Sequence, residues 1–562
     1  MPSCVLVPAV LAVGRPAALT CEGLSPGSVR VDSFGSAVVG ASGRARLVGT
    51  PTTEGAWALG VHQGGAVVAT VEATVAPAYG PGADWLDRTF YVLIPGKFAN
   101  GDPANDVMLQ AYPPTPGVTY GGGYAGGDLA GALRDVDHVL GLGLNTVLLY
   151  PPFANDRGWV PDLAGTRWLA SGYRMRDWTA VDENLGTEAD LAALVNALHA
   201  GAMDVVIDLP LTLSGLEHPF AADPVRPSFL RPWVAGDSIA PAPMVMWRGT
   251  PDERRVDNGW GMPMVDLSVP WVADAAGDVM DALIDAGADG FRYDSVQNGP
   301  GDTWRALVAR AETRRPETVH LGEVVQLVQL SWQAAYADYL APQTVGGTGV
   351  GFDGIYDLAM TDRLQAVFAE DVDATTLADH HHLEVFFKGA DAARMVGSVD
   401  LYEDPTFLDR VVDAEGSARL RAALVALFAL DRVPMVFSGD ELGVAYDAPD
   451  LLTHPDADPV VLDTLRALAT LRRDEPALRR GVLGWLEERP DFLAWSRGDE
   501  LVATFRPGPV AGWEIVDLPP GCARLDELLT TGDGTSAVAM VGPGRALVQL
   551  AAHEARVFRC SP

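Results

Sequence analysis

The sequence predicts an α/β protein, a (β/α)8 barrel flanked by an N-terminal and a C-terminal β-sandwich. Between about Phe90 and Arg480, apolar strands alternate with amphipathic helices, which is typical of a parallel sheet covered by helices. Outside that stretch the chain runs in short β-rich pieces separated by Gly, Ser and Pro. We therefore divide the 562 residues into a sandwich (1–80), a barrel (81–480) with a loop subdomain (about 212–265) and a second sandwich (481–562).

The N-terminal sandwich is indicated by short β-rich pieces. They include Val29–Val31, Trp57–Leu59 and Val67–Val71, and a Pro- and Gly-rich segment at 75–82 reads as the linker that follows them. The tail returns to the same pattern with Phe492–Trp495 and Leu501–Phe505. Both ends of the chain are therefore expected to form antiparallel sheets.

One βαβ unit illustrates the barrel. The apolar run Leu144–Tyr150 ends at two prolines, and a helix capped by Thr187 then repeats apolar residues at helical spacing before stopping at Gly201. The next buried strand, Asp204–Asp208, ends in a carboxylate. Eight such strands, beginning with Phe90–Ile94, fit a closed barrel whose chemistry lies at the C-terminal strand ends.

The charge balance excludes several classes of partner. Forty basic and 74 acidic residues give a net charge of −34, which repels nucleic acid and anionic lipid. No apolar stretch approaches the roughly 18 residues of a membrane span. The first residues lack a basic segment and Pro8 interrupts their apolar run, so a cytoplasmic location is expected.

The cysteine pattern leaves the redox state open. Cys4, Cys21, Cys522 and Cys560 lie near the two chain ends, without the close paired spacing of a zinc site. Disulfides within each terminal domain are one interpretation and free thiols are the other. The run His380–His382 could suggest a transition-metal site, but adjacent histidines point in alternating directions and rarely share one ion, so we interpret the run as a solvated or substrate-rim loop.

Three acids close three predicted barrel strands, namely Asp294, Glu323 and Asp400. Barrel geometry aims all three into one mouth. Cleavage of a glycosidic bond needs two carboxyl groups, one to protonate the leaving oxygen and one to attack or to activate water. Arg292 precedes Asp294 by two residues, so it shares the strand face and can keep that carboxylate ionised.

From about Phe90 onward the chain resembles the α-amylase family, glycoside hydrolase family 13. Ordered blocks carry the resemblance: residues 127–131, 142–152, 172–173, 177–187, 289–294, 322–323 and 433–443. The layout with an N-terminal sandwich is similar to the intracellular cyclomaltodextrinase and neopullulanase group. That group also implies a homodimer as one expectation.

The resemblance implies a role for each matched residue. Asp294 corresponds to the nucleophile, Glu323 to the general acid and base, and Asp400 to the acid that holds ring hydroxyls. Tyr173 corresponds to the stacking platform and Arg292 to the partner of the nucleophile. The implied reaction retains the α configuration, which requires carboxyl groups about 5 to 5.5 Å apart.

The chain departs from the family pattern at the reacting sugar. Thr212 and Leu213 stand where the family has Asn and His, Asn298 ends the second block in place of His, and Val399 replaces the His before Asp400. Aliphatic side chains can neither donate nor accept hydrogen bonds. Leu213, Asn298 and Val399 are therefore assigned to a sugar-binding set of unusual composition.

A calcium site is predicted near the first barrel strand. Carboxylates, amides and carbonyls at close spacing suit Ca²⁺, and the run resembles a structural calcium loop of the same family. Asp128 is also assigned to the sugar-binding set. The predicted ligands are Asn100, Asp102, Asn105, Asp106, Gly126 and Asp128.

The sequence thus predicts a retaining α-glycosidase or transglycosylase that acts on α-linked oligosaccharides. One alternative is a maltosyl-type transferase with a sugar-phosphate donor, since that branch of the family also lacks both histidines. Another is a carbohydrate-binding relative without catalysis. The five matched residues Tyr173, Arg292, Asp294, Glu323 and Asp400 argue against the second alternative.

Overall fold

A closed barrel of eight parallel strands forms the centre of the computed structural model. The structure describes residues 2–7, 10–76, 78, 80, 84–107, 124–158, 160–161, 167–168, 172–215, 217–222, 244–246, 255–257, 262–324, 338–345, 347–401, 406–444, 451–534 and 536–562. The predicted loop subdomain lies mostly outside these ranges. The barrel strands are Phe90–Leu93, Thr146–Leu149, Asp204–Leu209, Gly290–Tyr293, Val319–Gly322, Gly354–Tyr356, Met395–Gly397 and Val433–Phe437.

Side chains alternate between the inside and the outside of each barrel strand. In the third strand Val206 joins the interior cluster, whereas Val205 and Ile207 pack outward against the helices. The helices are Pro95–Phe98, Leu129–Arg134, Val136–Leu140, Glu188–Ala200, Pro270–Asp285, Gly301–Arg314, Leu358–Phe368, Thr375–Lys388, Phe407–Arg410, Gly416–Ala429, Pro459–Asp474 and Pro476–Arg480. Within the described ranges, every helix falls short of the length and apolarity that a bilayer crossing requires.

The local signals of the predicted βαβ unit are confirmed. Thr187 and Asp190 form a capping box at the start of helix Glu188–Ala200, and Gly201 is its C-cap. Satisfying the free backbone groups at both ends in this way fixes where the helix starts and stops. The strand that follows then delivers Asp208 to the barrel mouth.

The N-terminal residues form two sheets around a separate core, antiparallel except for the parallel pair of Val10–Ala12 with Ala66–Ala76. The sheets comprise Ser3–Val7, Ala17–Glu22 and Ala45–Gly49 in the first, and Val10–Ala12, Ala66–Ala76, Gly55–Gln63, Gly27–Val31 and Gly35–Val39 in the second. Arg15 leaves this unit and bonds Asp204 at 3.0 Å and Asp289 at 3.1 Å. Both acids begin barrel strands, so the N-terminal unit contacts the barrel at the end opposite the strand termini that carry Asp294 and Glu323.

The C-terminal residues form a second pair of sheets with their own core. Their strands are Leu483–Arg489, Phe492–Arg497, Leu501–Arg506, Glu554–Ser561 and Arg524–Thr530 in one sheet, and Gly512–Asp517, Arg545–Leu550 and Val538–Gly542 in the other. The fold class predicted from the sequence is thus confirmed. The domain boundaries stay predictions.

The four cysteines form two disulfides, one within each terminal unit. Cys4 bonds Cys21 across two neighbouring strands, and Cys522 bonds Cys560 on the last strand. This pairing corresponds to the disulfide interpretation of the cysteine spacing. Both crosslinks connect a segment near a chain end to a strand of the same unit.

The interpretation of His380–His382 as a loop is wrong. The three residues belong to helix Thr375–Lys388, where successive side chains point about 100° apart and reach different neighbours. His380 approaches Asp357, His381 bonds Asp431 at 2.9 Å, and His382 bonds Glu488 at 3.1 Å. The run therefore fastens this helix to the barrel and to the C-terminal sheet.

Candidate active site

Three adjacent strands bring acidic side chains to one end of the barrel. Asp208 is in register with Arg292, and Tyr293 is in register with Gly322. Asp294 and Glu323 each follow a paired residue by one position, so they leave the barrel at the same level. The side chains of Asp208, Asp294 and Glu323 point into the barrel, because each lies an even number of residues from an inward-facing position of its strand.

Arg292 connects three of these acids. Its Nη1 donates to Asp208 Oδ1 at 2.8 Å and to Asp294 Oδ1 at 3.0 Å, and its Nη2 lies 2.5 Å from Glu323 Oε1. The guanidinium is planar with donors on two sides, which lets it serve several carboxylates at once. One buried cation thus stands among three buried acids.

Tyr173 covers one side of this group. Its hydroxyl donates to Asp208 Oδ2 at 2.8 Å and lies 3.3 Å from Arg292 Nη1. Its ring meets the edge of Tyr150, with the centroids 5.3 Å apart. The aromatic ring is therefore held next to the acids by both of its ends, as a sugar platform requires.

The two oxygens of Asp294 have different surroundings. Oδ1 accepts the bond from Arg292, whereas Oδ2 is buried without an amide, guanidinium or hydroxyl donor in the described part of the chain. The residue itself is 7% exposed. A buried carboxylate oxygen next to a protonated Glu323 is well placed for attack, because the proton that Glu323 shares with Asp294 can pass to the leaving group instead.

Burial gives Glu323 and Asp208 different protonation states at neutral pH. Burial raises the pKa of Glu323 to about 8. The positive charge of Arg292 lowers this pKa, whereas the negative charges of Asp294 and Asp208 raise it. Burial also raises the pKa of Asp208 to about 6, although Arg292 opposes the shift. At neutral pH, Glu323 therefore holds a proton while Asp208 is ionised, an arrangement that supplies a general acid.

The backbone after Asp294 also orients Glu323. Ser295 has a left-handed conformation with φ of 48°, and its amide donates to Glu323 Oε2 at 3.2 Å. Non-glycine residues adopt this conformation at an energetic cost, which concentrates at functional sites. The strained residue turns its amide toward the carboxyl group of Glu323.

Asp400, the third predicted acid, belongs to a neighbouring cluster. Its Oδ1 accepts from Gln365 at 3.1 Å, and the Phe407 amide donates to the same oxygen. Burial raises its pKa to about 6, while hydrogen bonds, the first of them with Asp440, lower it. The structure brings Asp294 and Glu323 together on Arg292, but no contact between Asp400 and that arginine occurs among the described residues.

The three predicted sugar contacts lie in different surroundings. Leu213 is buried against Met262 and Met264, with Tyr173 packed on that cluster. Asn298 is half-buried in the short helix Val296–Asn298 that follows the nucleophile candidate. Val399 follows strand Met395–Gly397 by two residues and is fully buried in the core cluster that barrel and helices share.

The predicted calcium ligands form one loop around Asp128. Both oxygens of Asp128 accept hydrogen bonds from the backbone of Gly101, Asp102 and Gly131, and Asn105 Nδ2 adds another at 3.1 Å. This residue therefore anchors the loop and caps helix Leu129–Arg134. Gly126 is buried in the turn that precedes it.

The remaining side chains of the loop still offer oxygen donors. Asp106 accepts from Tyr124 at 2.7 Å and from Asn100 at 3.0 Å, and Asp102 is exposed. Asn105 Oδ1 is buried and has no hydrogen-bond donor among the described residues. An orphaned amide oxygen beside two carboxylates fits a hard cation such as Ca²⁺.

A second group of possible metal ligands has another explanation. Asp357, His380 and Glu384 lie close enough to share an ion. However, Arg432 bonds both acids and Lys388 bonds Glu384 at 2.9 Å. Two buried cations already balance the two buried acids, so we interpret this group as a salt-bridge network.

Sequence reasoning missed the contribution of Asp208. The strand ending at Asp208 was recognised, but the residue was not assigned to the site, although it bonds both Arg292 and Tyr173. The available signal was the one used for the other acids, a carboxylate that closes an apolar barrel strand. Gln365 and Asp440, the partners of Asp400, carried no comparable signal because neither closes a barrel strand.

Comparison with known proteins identifies related sequences. Residues 92–233 match the model of the alpha-amylase catalytic domain. The periplasmic alpha-amylase of Escherichia coli is 32% identical over 161 residues, which are 28% of this chain and 23% of that protein. The cyclomaltodextrinase of Thermoanaerobacter pseudethanolicus is 22% identical over 71% of this chain and 66% of its own. The chain thus spans less than two thirds of either relative.

Solved structures share the fold. An Anoxybacillus alpha-amylase superposes with a TM-score of 0.70 at 22% identity, covering 85% of this chain and 99% of its own. The cyclic α-maltosyl-(1→6)-maltose hydrolase of Arthrobacter globiformis superposes with a TM-score of 0.66 at the same identity, covering 86% and 100%. At 22% identity, these similarities show a shared fold.

Proposed function

We propose that this chain, whose residues 92–233 match the model of the alpha-amylase catalytic domain, is a retaining α-glycoside hydrolase or transglycosylase acting on α-linked oligosaccharides. The observation that carries the proposal is the contact of one guanidinium, that of Arg292, with Asp208, Asp294 and Glu323. The named relatives include amylases and cyclomaltodextrinases, which supports an α-linked substrate.

In the proposed first step, Glu323 donates its proton to the glycosidic oxygen while Asp294 Oδ2 attacks the anomeric carbon. The bond to the leaving sugar breaks, and a covalent glycosyl-enzyme forms on Asp294. Arg292 holds Oδ1 of the nucleophile and compensates part of the negative charge of the site. The raised pKa of Glu323, about 8, supplies the proton at neutral pH.

In the second step, ionised Glu323 takes a proton from water or from a sugar hydroxyl, which attacks the same carbon and releases Asp294. Attack by water completes hydrolysis and attack by sugar completes transfer. Two inversions at one carbon retain the α configuration. Tyr173 supplies an aromatic surface for the ring, and Asp400 is proposed to hold ring hydroxyls.

Trapping the intermediate tests this proposal. Incubation with an activated fluorinated α-glycoside should raise the mass of the protein by one glycosyl unit, located on the peptide containing Asp294. Asp294→Asn should not be labelled and should lose turnover by about 10³-fold or more. The exposed Asp499→Asn serves as the matched control. Full turnover by Asp294→Asn would overturn the proposal.

The sugar-phosphate transferase is the second candidate, and it has no specific support among the described residues. A phosphate donor needs an available cation. In the described part of the chain, Arg292 is the only guanidinium that bonds Asp208, Asp294 or Glu323, and these three carboxylates already share it. Absence of inorganic phosphate release from α-glycosyl phosphates would agree with this view.

We also propose a structural calcium ion in the loop around Asp128. Amide oxygens of Asn100 and Asn105 and carboxylates of Asp102 and Asp106 would hold it, and the ion would tie this loop to the first barrel helix.

A cytoplasmic location and a homodimer stay predictions. The two disulfides instead favour folding in an oxidising compartment, and thiol alkylation of the untreated protein decides between the two environments.

A further inference from the structure

A small apolar cluster lies beside the candidate active site. Leu213, Met262 and Met264 form it, separately from the large cores of the barrel and the sandwiches, and Tyr173 packs against it. Leu213 and Met264 pair as an isolated antiparallel bridge. Met262 is 9% exposed, whereas Leu213 is 2% exposed and Met264 is fully buried, so Met262 supplies most of the accessible surface of the cluster, and Leu213 and Met264 pack behind it.

Two contacts join this cluster to the acids. Tyr173, which packs on the cluster, bonds Asp208 through its hydroxyl at 2.8 Å. Thr212, the residue before Leu213, donates its hydroxyl to the backbone oxygen of Asp294 at 3.3 Å. Leu213 is therefore one residue away from a direct contact with the nucleophile candidate.

The chemistry of this surface is unusual for a sugar site. Isobutyl and thioether groups give a sugar hydroxyl no hydrogen bond of ordinary strength. A hydroxyl buried against them would lose its water without replacement, which is unfavourable. A hydrogen atom or a methyl group would instead gain apolar contact, and methionine adapts its shape to such groups.

We propose that Leu213, Met262 and Met264 form a specificity wall that selects a reacting sugar ring in which one hydroxyl is replaced by hydrogen or carries an alkyl group. This inference rests on the proposed function and names its substrate class. Because Thr212 bonds the backbone of Asp294 and Tyr173 bonds Asp208, we place the wall beside the ring that would become covalently attached.

The test compares nitrophenyl α-glucoside with three counterparts, each lacking one hydroxyl remote from the anomeric carbon. The wild-type protein should cleave one of the three with a kcat/KM at least about tenfold higher than that of the parent. Deoxy sugars react intrinsically faster. The ratio of kcat/KM for the deoxy glycoside to kcat/KM for the parent glucoside is therefore measured again in variants of the wall.

Leu213→Asn introduces donors and acceptors at similar volume and should move the ratio toward the parent sugar by about tenfold or more. Leu213→Met keeps the wall apolar and should keep the wild-type preference. Met262→Gln is a second polar variant in case Leu213→Asn does not fold. Calorimetric binding of the corresponding monosaccharides to Asp294→Asn should follow the same order as the kcat/KM values.

The outcomes are distinguishable. If no α-glycoside is cleaved and no glycosyl-enzyme forms, the proposed function itself fails. If α-glycosides are cleaved but the ratio is near one, or stays unchanged in Leu213→Asn and Met262→Gln, the wall does not select the ring and this inference is overturned. A ratio that moves in both polar variants, but not in Leu213→Met, supports it.

Discussion

Arg292 is the residue whose contacts hold the candidate site together. Its guanidinium reaches three carboxylates from two nitrogens, a geometry that a lysine ammonium cannot reproduce. Arg292→Lys keeps the charge but should lower kcat/KM by about 10²- to 10³-fold, since the acids lose their fixed positions. Steady-state kinetics alongside thermal unfolding measure this. A rate within a factor of two of wild type would refute the role.

The raised pKa values of two acids predict how activity depends on pH. Above a pH of about 8, Glu323 loses the proton that it must donate. Below a pH of about 6, Asp208 becomes protonated and its ion pair with Arg292 weakens. A profile of kcat/KM should therefore have a plateau between these values. Glu323→Gln should lower the plateau and remove the alkaline decline, and an unshifted decline in that variant would contradict the assignment.

The stability of the fold should also fall as Glu323 loses its proton. Its folded-state pKa, about 8, lies above the ordinary value of 4.5, so the folded protein holds this proton more tightly than the unfolded chain. The folded state is therefore favoured below a pH of about 4.5, and that advantage is lost as pH rises to about 8. Glu323→Gln should accordingly gain melting temperature relative to wild type as the pH rises, which a series of thermal scans would measure.

At the scale of single elements, the loop around Asp128 gives a prediction about calcium. Chelation should lower the melting temperature of the wild-type protein, because an ion at 100 times its dissociation constant contributes about 2.7 kcal/mol to folding. Asn105→Ala removes the orphaned amide oxygen and should reduce this shift. The exposed Asn196→Ala is the control. An equal shift in both variants would exclude Asn105 as a ligand.

Some structural elements can be predicted from the sequence more completely than others. Thr187, Asp190 and Gly201 mark one helix completely, because capping is a local property. Alternation along a strand places Arg292 and Asp294 on one face for the same reason. The register between strands is not local, so the bond from Arg292 to Asp208 on the neighbouring strand could not be predicted.

The run His380–His382 is a case in which local sequence preference does not predict the helix. Each of the three side chains meets an acid from a different part of the chain: Asp357, Asp431 and Glu488. Histidine is a weak helix former, so its local preference gave no reason to expect a helix there. Tertiary contacts decided the conformation. The same holds for Leu213, whose neighbours Met262 and Met264 lie about fifty residues further along the chain.

At the scale of the whole molecule, Arg15 connects the N-terminal unit to the barrel. It bonds two buried acids, Asp204 and Asp289, which keep Arg88 and Arg315 as further partners, so Arg15→Ala should destabilise the protein by about 1.5–3 kcal/mol, the range of a hydrogen bond to a charged group. The ion pair of Arg30 with Asp32 in the same unit is exposed, and Arg30→Ala should cost no more than about 1 kcal/mol. Denaturant unfolding of both variants compares them, and similar losses would contradict a docking role.

The two disulfides have a consequence for how the molecule comes apart. Cys4 in strand Ser3–Val7 is crosslinked to Cys21 in strand Ala17–Glu22, and Cys560 in strand Glu554–Ser561 is crosslinked to Cys522. Each crosslink therefore ties one strand covalently to another segment of its own sandwich, which restrains local unfolding of that strand. Adding a thiol reductant would remove both restraints together, so amide hydrogen exchange in strands Ser3–Val7 and Glu554–Ser561 should speed up after reduction.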